Sequence, residues 1–136
     1  MAMHVELVSP ELILYSGEAE MVICRTVGGG DIAFLANHAP FLGALDDAVV
    51  RIRRTDGEWE SAAVHGGFVH VRDNTVILLS DLAELASQID FERARRDREE
   101  LERKVMETDD AAVEARLRQV HVRLQLEDAL PASARS

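Results

Sequence analysis

The chain has 136 residues, with 15 Lys and Arg against 25 Asp and Glu, giving a formal net charge of −10 at pH 7. That length suits one domain, or one domain with a small appendage. The acidic balance argues against nucleic-acid or anionic-membrane binding, because both need a basic footprint.

Up to about Ser80, short runs of β type alternate with turn signals. Residues 4–8 form an extended run ended by Ser9-Pro10. Residues 21–27 (MVICRTV) are rich in β-branched side chains and end at Gly28-Gly29-Gly30. A short run follows at 31–35. Residues 49–53 alternate, with Val50 and Ile52 on one face and Arg51 and Arg53 on the other. Thr55-Asp56-Gly57 then supplies a hairpin turn, because Asp-Gly tolerates the positive φ such turns require. Residues 59–64 return, Gly66-Gly67 interrupts, and 68–71 follow. Arg72-Asp73-Asn74 turns the chain into 75–80. Turn signals every ~8–12 residues between period-2 runs predict a sandwich or barrel. Only 4% of residues are aromatic, so its core must be built from Val, Leu, Ile and Ala. Residues 76–79 are apolar on both faces, which predicts a central strand or one covered by another element.

After Ser80 the period changes. Residues 91–107 contain no Gly or Pro and predict a helix. Asp90 serves as its N-cap, with Ile89 and Ala94 as a hydrophobic staple. Glu92/Arg96, Glu99/Arg103 and Glu100/Lys104 are favourable i,i+4 pairs. The apolar stripe of Phe91, Ala94, Leu101 and Val105 is interrupted by Arg98. Thr108-Asp109-Asp110 breaks the run and caps a second helix with the stripe Val113, Leu117, Val120 and Leu124, which Pro131 ends. The short link makes the two helices an antiparallel hairpin, and the whole chain α+β. Each fully buried Leu or Val contributes roughly 1.5–3 kcal/mol, which for so narrow a stripe barely exceeds the ordering entropy. The hairpin is therefore expected to be marginal alone and to dock on the β domain or on a partner, with two positions open to it.

The charge divides unevenly. Residues 1–88 carry 5 basic and 13 acidic side chains, while residues 89–136 carry 10 and 12. Within the second helix, Arg116, Arg118 and Arg123 stand against Glu114 alone over residues 111–126. This local basic strip suits an acidic partner segment, since arginine binds carboxylates in bidentate fashion. A solvated helix face is the competing reading.

Other candidate chemistry is weak. His4, His38, His65, His70 and His121 show no metal-ligand spacing, and they read as ordinary structural or surface histidines. Gly28-Gly29-Gly30 lacks the spacing of a phosphate loop and reads as a hairpin connection. His65-Gly66-Gly67 faintly suggests an esterase loop, but no G-x-S-x-G nucleophile accompanies it. Cys24 reads as a buried thiol, and a single cysteine excludes an intrachain disulfide and fits a reducing compartment. The first residues lack a basic signal-peptide n-region. No stretch approaches the ~20 apolar residues of a membrane span.

Three segments in order carry a resemblance. Gly30-Asp-Ile-Ala-Phe-Leu-Ala-Asn-His-Ala-Pro-Phe-Leu-Gly-Ala-Leu45, Ala63-Val-His-Gly-Gly-Phe-Val-His-Val-Arg72 and Ile89-Asp-Phe-Glu-Arg-Ala94 resemble the epsilon subunit family of F-type ATP synthases. They match its Gly-acidic…His-x-Pro loop, its Val-x-Gly-Gly-Phe strand and its I/L-D-x-x-R-A nucleotide motif. The likeness covers nearly the whole chain. Ala33 and Ala36 depart from it, standing where many relatives carry Gly, or Gly or Pro.

The resemblance implies a β-sandwich over residues 1–83 and a linker with a regulatory helical hairpin over 84–136. It implies a non-catalytic rotor subunit at the foot of the central stalk of a proton-translocating ATP synthase. The sandwich would meet the gamma subunit and the c-ring. The hairpin would fold back, or extend along gamma into the alpha/beta catalytic head and inhibit ATP hydrolysis. It places the protein peripherally on the cytoplasmic face of a bacterial plasma membrane. Asp31 and His38 fall at c-ring contact positions, and Arg116, Arg118 and Arg123 at positions facing an acidic segment of the beta subunit. Glu84, Ile89, Asp90, Arg93, Ala94 and Arg123 fall at ATP-binding positions, with ATP a regulatory ligand and no cofactor required. Glu100 stands where nucleotide binders carry an arginine. No catalytic or metal-ligating residue is implied. The rival reading is a free-standing ligand-binding β domain with a helical dimerisation hairpin. A stalk subunit should bare an apolar patch on one sheet face, whereas a barrel should enclose an apolar cavity.

Overall fold

A computed structural model describes residues 1–130. Pro131, expected to end the second helix, lies outside the described residues. The strands are β1 (Met3–Ser9), β2 (Leu12–Thr26), β3 (Gly30–Leu35), β4 (Phe41–Ala44), β5 (Ala48–Arg54), β6 (Trp59–His65), β7 (Phe68–Arg72), β8 (Thr75–Leu79) and β9 (Leu82–Leu85). A single 3-10 turn at Ala86–Gln88 leads to α1 (Phe91–Glu107) and α2 (Ala111–Ala129).

The strands pair in the order β4-β7-β8-β1-β2-β5-β6-β9, with β3 also on β2. One strand joins the two layers. β2 is 15 residues long; its first part pairs with β1 and its second with β3 and β5. Register shifts opposite Leu7/Val8 and at Ala19/Met21 mark the irregularities that bend a strand this long. The layers close on one core containing Val5, Leu7, Val22, Phe34, Val50, Val64, Val69 and Leu78. This is a sandwich filled by aliphatic side chains, as the composition requires.

The turns follow their residue types. Asp73 and Asn74 both have positive φ between β7 and β8, and Gly57 does so between β5 and β6. Gly66-Gly67 carries the chain from one layer to the other. A Cβ on Gly67, at φ +118°, would meet the Leu79 carbonyl oxygen at 1.9 Å, so the crossing admits only glycine there.

The structure adds what the sequence left out. β2 begins at Leu12 rather than at Met21, and β4 and β9 were not expected at all. The first half of β2 lacks strict alternation and contains Gly17. β4 and β9 are four residues each and owe their extension to pairing with β7 and β6. Residues 76–79 do lie in a central strand, between β7 and β1.

Both helices are capped as expected. The Asp90 side chain accepts from the Arg93 N–H, and the Asp110 side chain from the Ala112 N–H. Ala94, Leu101, Val120 and Leu124 pack together between the helices, flanked by Val113 and Leu117. Ile89, however, packs with Ala63, Phe91, Val122 and Leu126 rather than in the Ala94 cluster. Ile89 thus makes a contact to the sheet that the staple alone does not provide. α2 carries a second stripe, Val122, Leu126 and Leu130, that seats it on Ala63 of β6 and Val49 of β5. The hairpin is docked on one outer face of the sandwich.

Candidate functional site

Where β9, the 3-10 turn, α1 and α2 converge, they leave a cleft of about 300 Å³. It is lined by Glu84, Gln88, Ile89, Asp90, Arg93, Ala94, Asp97 and Arg123. Every residue assigned to ATP binding from the sequence is therefore brought to one place. Glu84 reaches it because β9 pairs with β6 in the register Ala63↔Glu84, which turns its side chain toward α2. Gln88 and Asp97 were not foreseen. Asp97 follows Arg93 by one helical turn, a spacing the sequence displays.

The charges in the cleft are mostly engaged. Arg123 Nε donates to Glu84 Oε1 at 2.8 Å. Arg93 Nε lies 3.9 Å from Asp97 Oδ2, and Asp90 Oδ1 accepts from the Arg93 backbone N–H at 3.0 Å. The lining thus holds three carboxylates against two guanidinium groups. Glu100 is no part of it; it pairs with Lys104 at 3.0 Å.

Behind Glu84 stands His65, which the sequence presents as an ordinary structural or surface histidine. It is 8% exposed, and among the described residues neither ring nitrogen has a hydrogen-bond partner. Its Nε2 is 3.5 Å from Glu84 Oε1, so the two are in electrostatic contact without a well-formed bond. The imidazole contact first, and then Arg123, hold the Glu84 carboxyl below its usual range, against the opposing effect of burial. His65 shares the α2-facing side of β6 with Ala63, two residues earlier.

The basic strip divides. Arg118 approaches Asp47 at the start of β5, at 3.8 Å, and Arg123 holds Glu84. The two flank the sheet-facing stripe of α2 on opposite edges. Arg116 is exposed and faces toward Glu100 of α1, whose carboxyl it helps to lower after Lys104. Arg95 of α1 adds a two-oxygen clamp on Glu127 of α2, at 2.7 and 2.9 Å.

Asp31 and His38 lie at opposite ends of β3. Asp31 is register partner and ion-pair partner of Arg25, at 2.9 Å. His38 follows the strand, with its ring edge-on to Phe34 at 4.9 Å. Burial pushes the Cys24 thiol up to about 12, with a smaller push from Asp31, which keeps it protonated and unreactive.

Among the described residues, nothing covers the other outer face of the sandwich. Cross-strand pairing aligns Ala44, Phe68, Leu79, Val8 and Ile13 in one row over five strands. Phe68 is 58% exposed, Leu79 54% and Ile13 61%, with Leu42 beside them at 70%.

The family model described as "ATP synthase, Delta/Epsilon chain, beta-sandwich domain" matches residues 2–86. The chain belongs to the ATP synthase epsilon chain family. An ATP synthase epsilon chain of Streptomyces avermitilis is 47% identical over 124 residues, 89% of this chain and 97% of that one. The corresponding protein of Brevibacillus brevis is 46% identical over 106 residues, 77% and 79% of the two chains. Among solved structures, a chain in the Euglena gracilis mitochondrial ATP synthase OSCP/F1/c-ring assembly aligns with TM-score 0.71 at 22% identity, covering 92% of this chain and 76% of that one. A chain of the Tetrahymena thermophila mitochondrial ATP synthase central stalk and c-ring aligns with TM-score 0.58 at 17% identity, over 92% and 96%. In this epsilon-type chain the domain match ends just past Glu84, so the cleft straddles the matched domain and the hairpin. Among the described residues, no helix is long and apolar enough to cross a membrane, and no three His, Cys, Asp or Glu are grouped to hold a metal ion.

Proposed function

We propose that this chain is a non-catalytic rotor subunit of a proton-translocating ATP synthase, with residues 1–83 seated on a gamma subunit and the c-ring. The observation that carries this is the bare apolar row of Ala44, Phe68, Leu79, Val8 and Ile13. A contiguous apolar face on a small domain marks a protein interface. Relatives over most of the chain that bear the epsilon name support the same reading. As part of that complex, the protein sits peripherally on the cytoplasmic face of a bacterial plasma membrane.

Residues 84–136 are the regulatory part in this proposal. The docked hairpin is its folded-back state. Once released, α2 presents Arg116, Arg118 and Arg123 to an acidic segment of the beta subunit in the alpha/beta head, and hydrolysis is inhibited. ATP in the cleft is a regulatory ligand, tying β9, α1 and α2 together and favouring the docked state by mass action. The rival dimerisation reading loses its main support, because both apolar stripes of α2 are used within the chain.

The test is co-elution with a gamma subunit on a sizing column at micromolar concentration. Separate elution would end the stalk reading. Removing residues 89–136 should raise hydrolysis by the reconstituted enzyme, and an unchanged rate would remove the inhibitory role alone.

A further inference from the structure

The cleft has a shortage of positive charge. Arg93 and Arg123, the guanidinium groups of its lining, already face Asp97 and Glu84, and Asp90 adds a third carboxylate. The first-turn amides are also partly spent, because Asp90 caps the Arg93 N–H. A polyphosphate that takes Arg123 as its partner competes with Glu84 for it. That would strand a carboxylate that is three-quarters buried, with side-chain exposure 23%. Stranding a buried charge is strongly unfavourable unless another cation replaces the lost one.

One group is placed to do so. His65 lies directly behind Glu84, with Nε2 3.5 Å from Oε1, and among the described residues neither ring nitrogen has a hydrogen-bond partner. A buried, unpartnered polar side chain calls for an explanation. Histidine also gains or loses its charge near neutral pH. Among the charged groups nearby, carboxylates outnumber guanidinium groups. Asp47 just before β5 and Asp81 just before β9 flank the adjacent Gly66, each 3.9 Å from where its Cβ would be. Glu84 of β9 faces the ring, and Arg118 and Arg123 approach from α2, engaged by Asp47 and Glu84.

We propose that His65 is the proton-accepting partner of this cleft. When an anionic ligand takes Arg123 from Glu84, His65 accepts a proton from solvent, becomes imidazolium and pairs with Glu84. Anion binding is thereby coupled to proton uptake and tightens as the pH falls. The inference rests on the reading of the cleft as a nucleotide site. It adds a residue outside the motif and a proton linkage that the motif does not contain. His65 acts through Glu84, so it is a positioning residue rather than a ligand contact.

Isothermal titration calorimetry of the full chain tests this, with ATP and inorganic tripolyphosphate as separate probes. Each titration is run at pH 7 in two buffers of different protonation heat, such as Tris and MOPS. The buffer dependence gives the protons taken up. The comparison of wild type with His65→Gln cancels the probe's own titration. The wild type should take up more protons than His65→Gln, by on the order of half a proton per ligand. Its affinity should also gain about threefold or more over the variant between pH 8 and pH 6. Glu84→Gln supplies a second check: with no carboxylate left for His65 to pair with, proton uptake on ATP binding should fall toward that of His65→Gln. Matching uptake with tripolyphosphate would support the charge argument without the nucleoside. Saturable binding with equal uptake in wild type and His65→Gln would overturn the role of His65 while leaving the nucleotide reading standing. No saturable heat with either probe would overturn both.

Discussion

Glu84 and Arg123 are 39 positions apart in the chain and 2.8 Å apart in the structure. One comes from the last strand of the sandwich and the other from the second helix of the hairpin. With Asp47 and Arg118, they fasten α2 to the β domain at both edges of its apolar stripe.

Arg123→Ala should loosen the hairpin by about 1–3 kcal/mol, because Glu84 would remain largely buried without its donor. Hydrogen exchange of the α2 amides reads this directly. Unchanged protection of α2 would show that the ion pair does not fasten it.

The acid dependence has a definite sign. The carboxyl of Glu84 is held below its usual range in the folded protein. Its contribution is therefore complete above the unfolded value near ~4.3 and is lost as the pH falls through the lower folded value. The folded chain should lose stability as the pH drops below about 4, and Glu84→Gln should be less stable at pH 7 and flatter with acid. Parallel acid profiles for the two proteins would assign the dependence to other groups.

Leu126 is fully buried between α2 and the sheet. Leu126→Ala should cost about 2–5 kcal/mol. The loss should fall on docking rather than on the sandwich, since the Ala94–Leu101–Val120–Leu124 packing stays within the hairpin. Limited proteolysis should then cut around residues 108–110 or 86–90 while sparing the strands. Cleavage spread evenly through the chain would contradict this separation.

Phe68→Glu places a charge in the middle of the bare row. The variant should fold normally and lose co-elution with the gamma subunit. Retained binding would place the interface elsewhere on the sandwich.

Gly67→Ala is the harsh case. Its Cβ would fall 1.9 Å from the Leu79 carbonyl oxygen, in a conformation with positive φ. A loss of about 3 kcal/mol or more is expected in thermal unfolding. A near-neutral change would mean that the layer crossing has more room than its geometry indicates.

How much of this could be read beforehand depended on range. Asp90 and Asp110 announce their helices because a cap acts within three residues, and Asp56-Gly57 and Asp73-Asn74 announce hairpins for the same reason. β4 and β9 were illegible because four residues carry almost no period, and their extension comes from partners 24 to 30 and 17 to 23 positions away. The second stripe of α2 was present in the letters, at Val122, Leu126 and Leu130. It acquires meaning only once Val49 and Ala63 are known to face outward. Ile89, Asp90, Arg93 and Ala94 were gathered through a nucleotide motif, whereas His65 lies in a strand motif that carries no nucleotide reading. Its role depends on a sheet register and a helix position that local pattern does not specify.

The two stripes of α2 make the helix a party wall, owned jointly by α1 and the sheet. Lifting it away bares the wall and the neighbour together, Val122 and Leu126 on one side and Ala63 and Val49 on the other. Water resists both exposures at once. The helix therefore changes hosts rather than going free. The tempo of any switch should follow how quickly a new host is offered, not how often the hairpin shakes loose.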